Sequence, residues 1–287
     1  MAVSIITILN SSNLFTNQIV YAQTVIDTLK VGNDPSAIAF NNLTGEMYVS
    51  NRHDDSISVI NTNNRTDIKE IHNTGDTPFD LAFDSFHNYL YVISGLEPIV
   101  TVIDVSNNST VDRINITSNS KGIIFDSKDK KMFTLPSQQN GTVKMIDTST
   151  REVQDFLKVS GLPSAIGFDS LKDNLYISNQ SASSGNGTIT IINISNKTIF
   201  EPISIGPSSN RNNFEFDPIH GHMYMTSSRG KLYVIDANTR TIIDTLNSTS
   251  GLDFPLRMDL DKLSGKIIKQ LQLLTARNSD HALIILI

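Results

Sequence analysis

The sequence predicts an all-β chain, a β-propeller of about six four-stranded blades, with seven as the other count. Three observations predict it. A unit of roughly 43 residues recurs along the 287-residue chain. Each unit reads as short strands separated by turns. The two ends of the chain carry partial units that complement each other.

The repeat is fixed by three sets of anchors. The first is Phe40, Phe83, Phe125, Phe168, Phe216 and Leu260, with successive spacings of 43, 42, 43, 48 and 44. The second follows eight residues later with the same spacings: Tyr48, Tyr91, Phe133, Tyr176, Tyr224 and Ile268. The third is Ile60, Ile103, Ile146, Ile192, Ile235 and Ile285.

Within a unit, an apolar run such as Ala37 to Phe40 is followed by an Asp- or Asn-led turn. An alternating strand comes next, then a third strand and a fourth. Period-2 alternation, β-branched and aromatic enrichment, and closely spaced turns are strand signals, and four strands in a unit of this length make a blade. The near-continuous apolar character of the first strand predicts that it is the inner, doubly buried one, with the Tyr of its neighbour packed between blades. Asp84, Asp126, Asp169 and Asp217 follow the first anchor directly. They are read as turn caps whose side chains bind the backbone ahead of them.

Thr24 to Val31 looks like the outer strand of a blade that has no beginning, and the last unit stops after its third strand. Joining them gives a last blade closed by the N-terminal strand, with residues 25–31 paired to 282–287, and removes an exposed edge. The last unit departs from the pattern: Ile268 replaces the second-anchor Tyr, and Leu263, Ile267, Leu271 and Leu274 recur at helical spacing. A decayed blade, a helical insertion and a truncated blade all stay open.

The strand Met47 to Asn51, with the runs that follow at Ser58 to Thr62 and Val25 to Gly32, resembles the YVTN-repeat β-propeller family. Leu90 to Ser94 with Val100 to Ser109, and Leu175 to Asn179 with Ile189 to Thr198, are near matches to the same pattern. The resemblance spans residues 25–287. It implies an exported or surface-layer-associated propeller of archaeal or bacterial type, and it implies no activity.

Residues 1–22 are read as a signal peptide, leaving 23–287 as a single propeller domain. Residues 2–9 are mostly apolar, and Val20-Tyr21-Ala22 before Gln23 resembles a cleavage site. The alternative is an N-terminal strand or tail. No apolar run is long enough for a spanning helix. Net charge is −6, against the basic footprint of a nucleic-acid protein. With no cysteine there is no disulfide, cysteine-based metal or thiol redox site.

Nucleophile-elbow, P-loop and zinc signatures are absent from the sequence. His220 and His222 form an HxH pair beside Asp217, but in a turn, so a structural role is expected there and no metal or cofactor is assigned. Sequons begin at Asn42, Asn64, Asn107, Asn108, Asn115, Asn140, Asn179, Asn186, Asn193, Asn196 and Asn247. Most fall in predicted turns, where a glycan could project.

Propeller geometry sends the loops between second and third strands to one face, with the segments leading into each blade. That face is expected to collect Arg52, His53, Asp54, Lys121, Asn179, Arg211, Arg229 and Arg277. Cations gathered on an acidic protein would attract an anionic ligand. The expected function is a secreted or cell-surface, non-catalytic, monomeric binding or scaffolding module. Its expected partner is a cell-surface polymer or an envelope protein, an anionic one being what those cations would attract. The alternative is a metal-dependent, lyase- or lactonase-like propeller enzyme, which would need ligands converging from several blades.

Overall fold

The computed structural model describes residues 7–8, 21–22, 29–62, 68–180, 185–207, 212–227, 231–247, 257–261, 266–271 and 283–284. Every described regular element is a strand. Twenty of them form five four-stranded antiparallel sheets, each with its strands in chain order.

Blade 1 comprises Pro35–Asn41, Glu46–Asn51, Ser56–Asn61 and Ile68–Ile71. Blade 2 comprises Pro78–Asp84, Tyr89–Ser94, Ile99–Asp104 and Ser109–Asn115. Blade 3 comprises Ser120–Asp126, Lys131–Pro136, Thr142–Asp147 and Val153–Lys158. Blade 4 comprises Leu162–Asp169, Asn174–Gln180, Asn186–Asn193 and Ile203–Pro207. Blade 5 comprises Asn212–Asp217, His222–Ser227, Lys231–Asp236 and Thr241–Asn247.

The blade count corrects the sequence expectation: among the described residues there are five four-stranded blades, not six or seven. The sixth unit yields a separate two-stranded sheet, Arg257–Asp261 with Lys266–Leu271, so residues 266–271 are a strand and not part of a helix. The ends of the chain do meet, with Leu29 opposite Ile284 and Lys30 opposite Leu283. That pair is a sheet of its own and completes no four-stranded blade among the described residues. The sequence departs at the same place: the second anchor, a buried aromatic in the seam with the following blade at Tyr48, Tyr91, Phe133 and Tyr176, is Ile268 in the last unit.

The first strands pack on one another in chain order, from Pro35–Asn41 through Asn212–Asp217 to Arg257–Asp261. The core is therefore a succession of seams between blades. Tyr48 lies in the seam of blades 1 and 2, Tyr91 in that of 2 and 3, Phe133 in that of 3 and 4, and Tyr176 in that of 4 and 5, all fully buried. The third-anchor isoleucines Ile60, Ile103, Ile146, Ile192 and Ile235 are also fully buried. The inner strands are less enclosed than expected. Phe40, Phe83, Phe125 and Phe168 stay partly exposed, because these strands have a neighbouring strand of their own sheet on one edge only.

Polar ties cross the seams as well. Ser36 Oγ donates to the carbonyl of Phe79 (2.8 Å), Ile123 N donates to the buried Asp80 Oδ2 (3.2 Å), and Asn212 Nδ2 donates to Ser164 Oγ (3.2 Å).

Candidate functional site: the two rims of the propeller

Antiparallel order divides the connections between two rims. On the first, the turn joining strands one and two is tied to the turn joining strands three and four. Thr62 N donates to Gly45 O, Val105 N to Asn88 O, Thr148 N to Lys130 O, Ile194 N to Asp173 O and Ala237 N to Gly221 O. On the second rim, loops between strands two and three meet the segments leading into each blade. Arg52 N donates to Asp34 O, Gly95 N to Thr77 O and Ser137 N to Asn119 O.

The second rim is where the sequence placed its candidate residues. Arg52, His53 and Asp54 are there, and they bind one another's surroundings. The Arg52 guanidinium pairs with Asp34 at 3.2 Å and lies over the Phe79 ring at 5.6 Å. His53 Nε2 stands 3.5 Å from the same carboxylate. Asp54 Oδ2 accepts from Asn33 N at 2.6 Å and its Oδ1 from Asn33 Nδ2 at 2.8 Å. The three residues thus fasten the loop to the start of blade 1.

Lys121 lies not in a loop but on the inner strand of blade 3, half-buried. Asn179 lies within the second strand of blade 4 and is buried, with its Nδ2 donating to Ile177 O and Thr190 Oγ1. It is an internal brace, as is Asn51 in blade 1, whose Nδ2 donates to Ser56 Oγ and Ser58 Oγ. Burial also removes Asn179 from the sequons that could project a glycan, whereas Asn42, Asn107, Asn115, Asn140, Asn186 and Asn196 are exposed. Arg211, Arg229 and Arg277 lie outside the described residues.

The first rim is built on one turn used five times. Asp84 Oδ1 accepts from Phe86 N (2.9 Å) and His87 N (3.2 Å), and Asp126, Asp169, Asp217 and Asn41 do the same for their own turns. The capping role read from the sequence is the one observed. The chain leaves each turn through a left-handed residue, Gly45, Asn88, Lys130, Asp173 or Gly221.

The second oxygen of the cap differs between blades. In blades 2 and 5 it meets an imidazole: His87 Nδ1 is 2.7 Å from Asp84 Oδ2, and His220 Nδ1 is 2.6 Å from Asp217 Oδ2. His220 therefore turns one nitrogen to Asp217, while its ring stacks on His222 with centroids 6.1 Å apart. In blades 3 and 4 the second oxygen has no hydrogen-bond partner. Burial raises the pKa of Asp126 and of Asp169, making both weaker acids, and for Asp126 the charges of Asp129 and Asp173 push the same way.

This turn also aims its third residue outward, and here the sequence reading missed a pattern. That position holds Leu43, Phe86, Lys128, Leu171 and Ile219 in blades 1 to 5. The four apolar ones are 68%, 61%, 59% and 52% exposed. They stand three residues after the first anchors Phe40, Phe83, Phe168 and Phe216, a signal that the alignment of repeats contains. Lys128 in blade 3 shows that the position accepts a charged side chain. An apolar side chain there is not required by the turn, yet four of the five blades carry an exposed one on this rim.

No family model matches this chain, and no curated protein does. Solved structures do. A chain of Kuenenia stuttgartiensis hydrazine synthase superposes with a TM-score of 0.68 at 16% identity, over 80% of this chain and 72% of that one. The fold is that of a β-propeller. A chain of a nidogen/laminin complex matches with a TM-score of 0.60 at 12% identity, over 77% of this propeller and 83% of that chain. The β-propeller domain of Cps50 (Swd1) from Myceliophthora thermophila matches at 0.56 and 11% identity, over 80% and 71%. Likeness at such identities is a likeness of fold. Among the described residues, no helix is long and apolar enough to cross a membrane.

Proposed function

We propose that the chain is a non-catalytic binding or scaffolding propeller that works outside the cytoplasm and docks an envelope protein on its first rim. The observation that carries this reading is the ring of Leu43, Phe86, Leu171 and Ile219, four exposed apolar side chains at one position of one turn. Water contacts most of each side chain in the free protein. Covering them with a partner surface returns about half of the 1.5–3 kcal/mol that full burial of such a side chain is worth, roughly 1 kcal/mol apiece. A protein surface with an apolar centre and polar margin fits this rim better than a sugar polymer does.

The opposite rim supports an anionic ligand less well, because Arg52 is already paired with Asp34. The resemblance of the repeat to YVTN propellers, and the apolar start followed by Val20-Tyr21-Ala22, support export and display at the cell surface. A nidogen/laminin complex among the structural neighbours is in keeping with a protein-binding propeller, though it is a likeness of fold.

The test is capture from an envelope extract by the parent chain and by a variant with Leu43, Phe86, Leu171 and Ile219 all changed to Ser. The expected result is one protein retained by the parent, lost by the quadruple variant and kept by Arg52→Ala, with the quadruple variant melting as the parent does. Equal retention by the quadruple variant, or lyase or lactonase turnover by the purified parent, would overturn the reading.

A further inference from the structure

The first rim holds a second feature, independent of its apolar ring. One carboxylate oxygen each of Asp126, Asp129 and Asp173 lies within 4.8 Å of those of the other two. Asp126 and Asp129 belong to the first turn of blade 3, and Asp173 ends the same turn of blade 4. The cluster therefore bridges two blades. Asp126 is fully buried and Asp173 is 5% exposed, whereas Asp129 is open to solvent.

The two buried carboxylates are only half satisfied. Asp126 Oδ1 accepts from Lys128 N at 2.9 Å and Asp129 N at 3.2 Å, and its Oδ2 is buried with no partner. Asp173 Oδ2 accepts from Ser195 Oγ and stands 3.8 Å from Lys128 Nζ, and its Oδ1 is buried with no partner. A buried carboxylate oxygen left without a donor is costly, and such groups in native proteins are paired, protonated or bound to a cation.

Comparison between blades sharpens the deficit. Asp84 and Asp217 have His87 and His220 three residues on, and those imidazoles close the second oxygen. Asp169 has Lys172 in that place, a cation. Asp126 has Asp129, a third carboxylate where the other blades supply a donor or a positive charge.

We propose that Asp126, Asp129 and Asp173 bind a hard divalent cation, calcium, at the junction of blades 3 and 4. The donors are all oxygen and all carboxylate, which selects calcium or magnesium over softer metals. Three oxygens all within 4.8 Å of one another can share one calcium shell, whose ligands sit at about 2.3–2.6 Å from the ion. Magnesium demands near-ideal octahedral geometry and binds the site less well. Asp129 provides the approach from solvent. Lys128 competes for Asp173 and weakens the site. Bound calcium would tie the turn of blade 3 to that of blade 4 where Lys128 interrupts the apolar ring.

The experiment uses the full chain, stripped with a chelator and dialysed to equilibrium against ⁴⁵Ca²⁺ at constant ionic strength, with melting followed in parallel. One saturable site is expected, with a Kd of about 10⁻⁴ to 10⁻³ M, the range of extracellular calcium modules. The melting temperature should rise with calcium. Asp129→Ala, at an exposed position, should weaken binding at least tenfold, and Lys128→Ala should strengthen it. Asp126→Asn keeps the turn acceptor and should abolish binding. Asp155→Ala, at the exposed Asp155 outside the cluster, should bind as the parent does. Absence of saturable binding up to about 10 mM, or Asp129→Ala binding as the parent does, would overturn the proposal. Neither result depends on whether a protein partner is captured.

Discussion

Gly167 lies on the inner strand of blade 4, at the seam with blade 5. A Cβ added there would stand 2.4 Å from Phe214 Cβ, 3.0 Å from Phe214 Cγ and 3.5 Å from Met223 Sδ. Carbon atoms in contact rest at about 3.5–4.0 Å, so blades 4 and 5 must separate locally by about 1 Å. Phe214 Cβ is fixed to its backbone, and no rotamer change relieves the overlap. Overpacking of this kind costs about 1–3 kcal/mol, offset by the 0.4–1 kcal/mol that Gly→Ala gains by restricting the unfolded chain. The net loss is about 1–2 kcal/mol, a fall in melting temperature of about 2–8 °C at the 2–4 °C per kcal/mol of a domain near 250 residues. Gly122→Ala is the matched comparison on the inner strand of blade 3. Its added Cβ first meets the end of a side chain, Ile166 Cγ2 at 3.2 Å, so its cost should be smaller. Far-UV circular dichroism on heating reads both. Gly167→Ala melting with the parent, or Gly122→Ala falling further than Gly167→Ala, would refute the packing of inner strands described above.

Other outcomes follow from the same contacts. Asp84→Asn keeps the acceptor for Phe86 N and His87 N and should lose less stability than Asp84→Ala, which leaves those donors without their cap at a cost of about 1–3 kcal/mol in chemical denaturation. Leu29 is 8% exposed and packs with Val31, Met47, Val49 and Ile60, so Leu29→Ala should cost about 2–4 kcal/mol, and parental stability would detach that strand from the core. The hydrogen bond from Lys131 holds the Asp147 carboxyl down to about 2, below its unfolded value of 3.8. Its contribution is complete above the unfolded value and is lost as pH falls from there through about 2. The stability gap between parent and Lys131→Ala should therefore close across that window, and a gap constant from pH 6 to pH 2 would deny the pairing. Asp169, raised by burial, works in the opposite sense: what it contributes at low pH is lost as pH rises through its folded value, so Asp169→Asn should reduce that loss in urea titrations from pH 3 to pH 7.

The anchors made the blades legible because each marks a seam. A buried Tyr or Ile at fixed spacing can only mean a repeated wedge, and Tyr48, Tyr91 and Tyr176 fill that role as read. The cap of Asp84 and its counterparts was equally legible, since the acceptor and its two donors lie within four residues. The number of blades was not. Leu260, Ile268 and Ile285 keep the repeat in register, but register alone does not specify four paired strands, and the second anchor there is not aromatic. Site residues fared according to whether their partners are local. Asn179 looked like a loop residue because its strand runs one residue past it, to Gln180. Arg52 looked like a free cation because Asp34 is 18 positions away in sequence. The meeting of Asp126 with Asp173 depends on the register of one blade against the next, which no spacing within a single repeat encodes. The apolar ring at Leu43, Phe86, Leu171 and Ile219 was within reach of the repeat alignment.

The central claim is that the first rim is the interface. A photo-reactive amino acid placed at position 43 or 171, and separately at position 96 on the opposite rim, tests it on the protein in its native setting. Leu96 is as exposed as Leu43, 68% each, so hydrophobicity and access are matched. Irradiation should give one discrete adduct with the same envelope protein from positions 43 and 171, and none from position 96. An adduct from position 96 alone, or no discrete adduct from either first-rim position, would contradict the account.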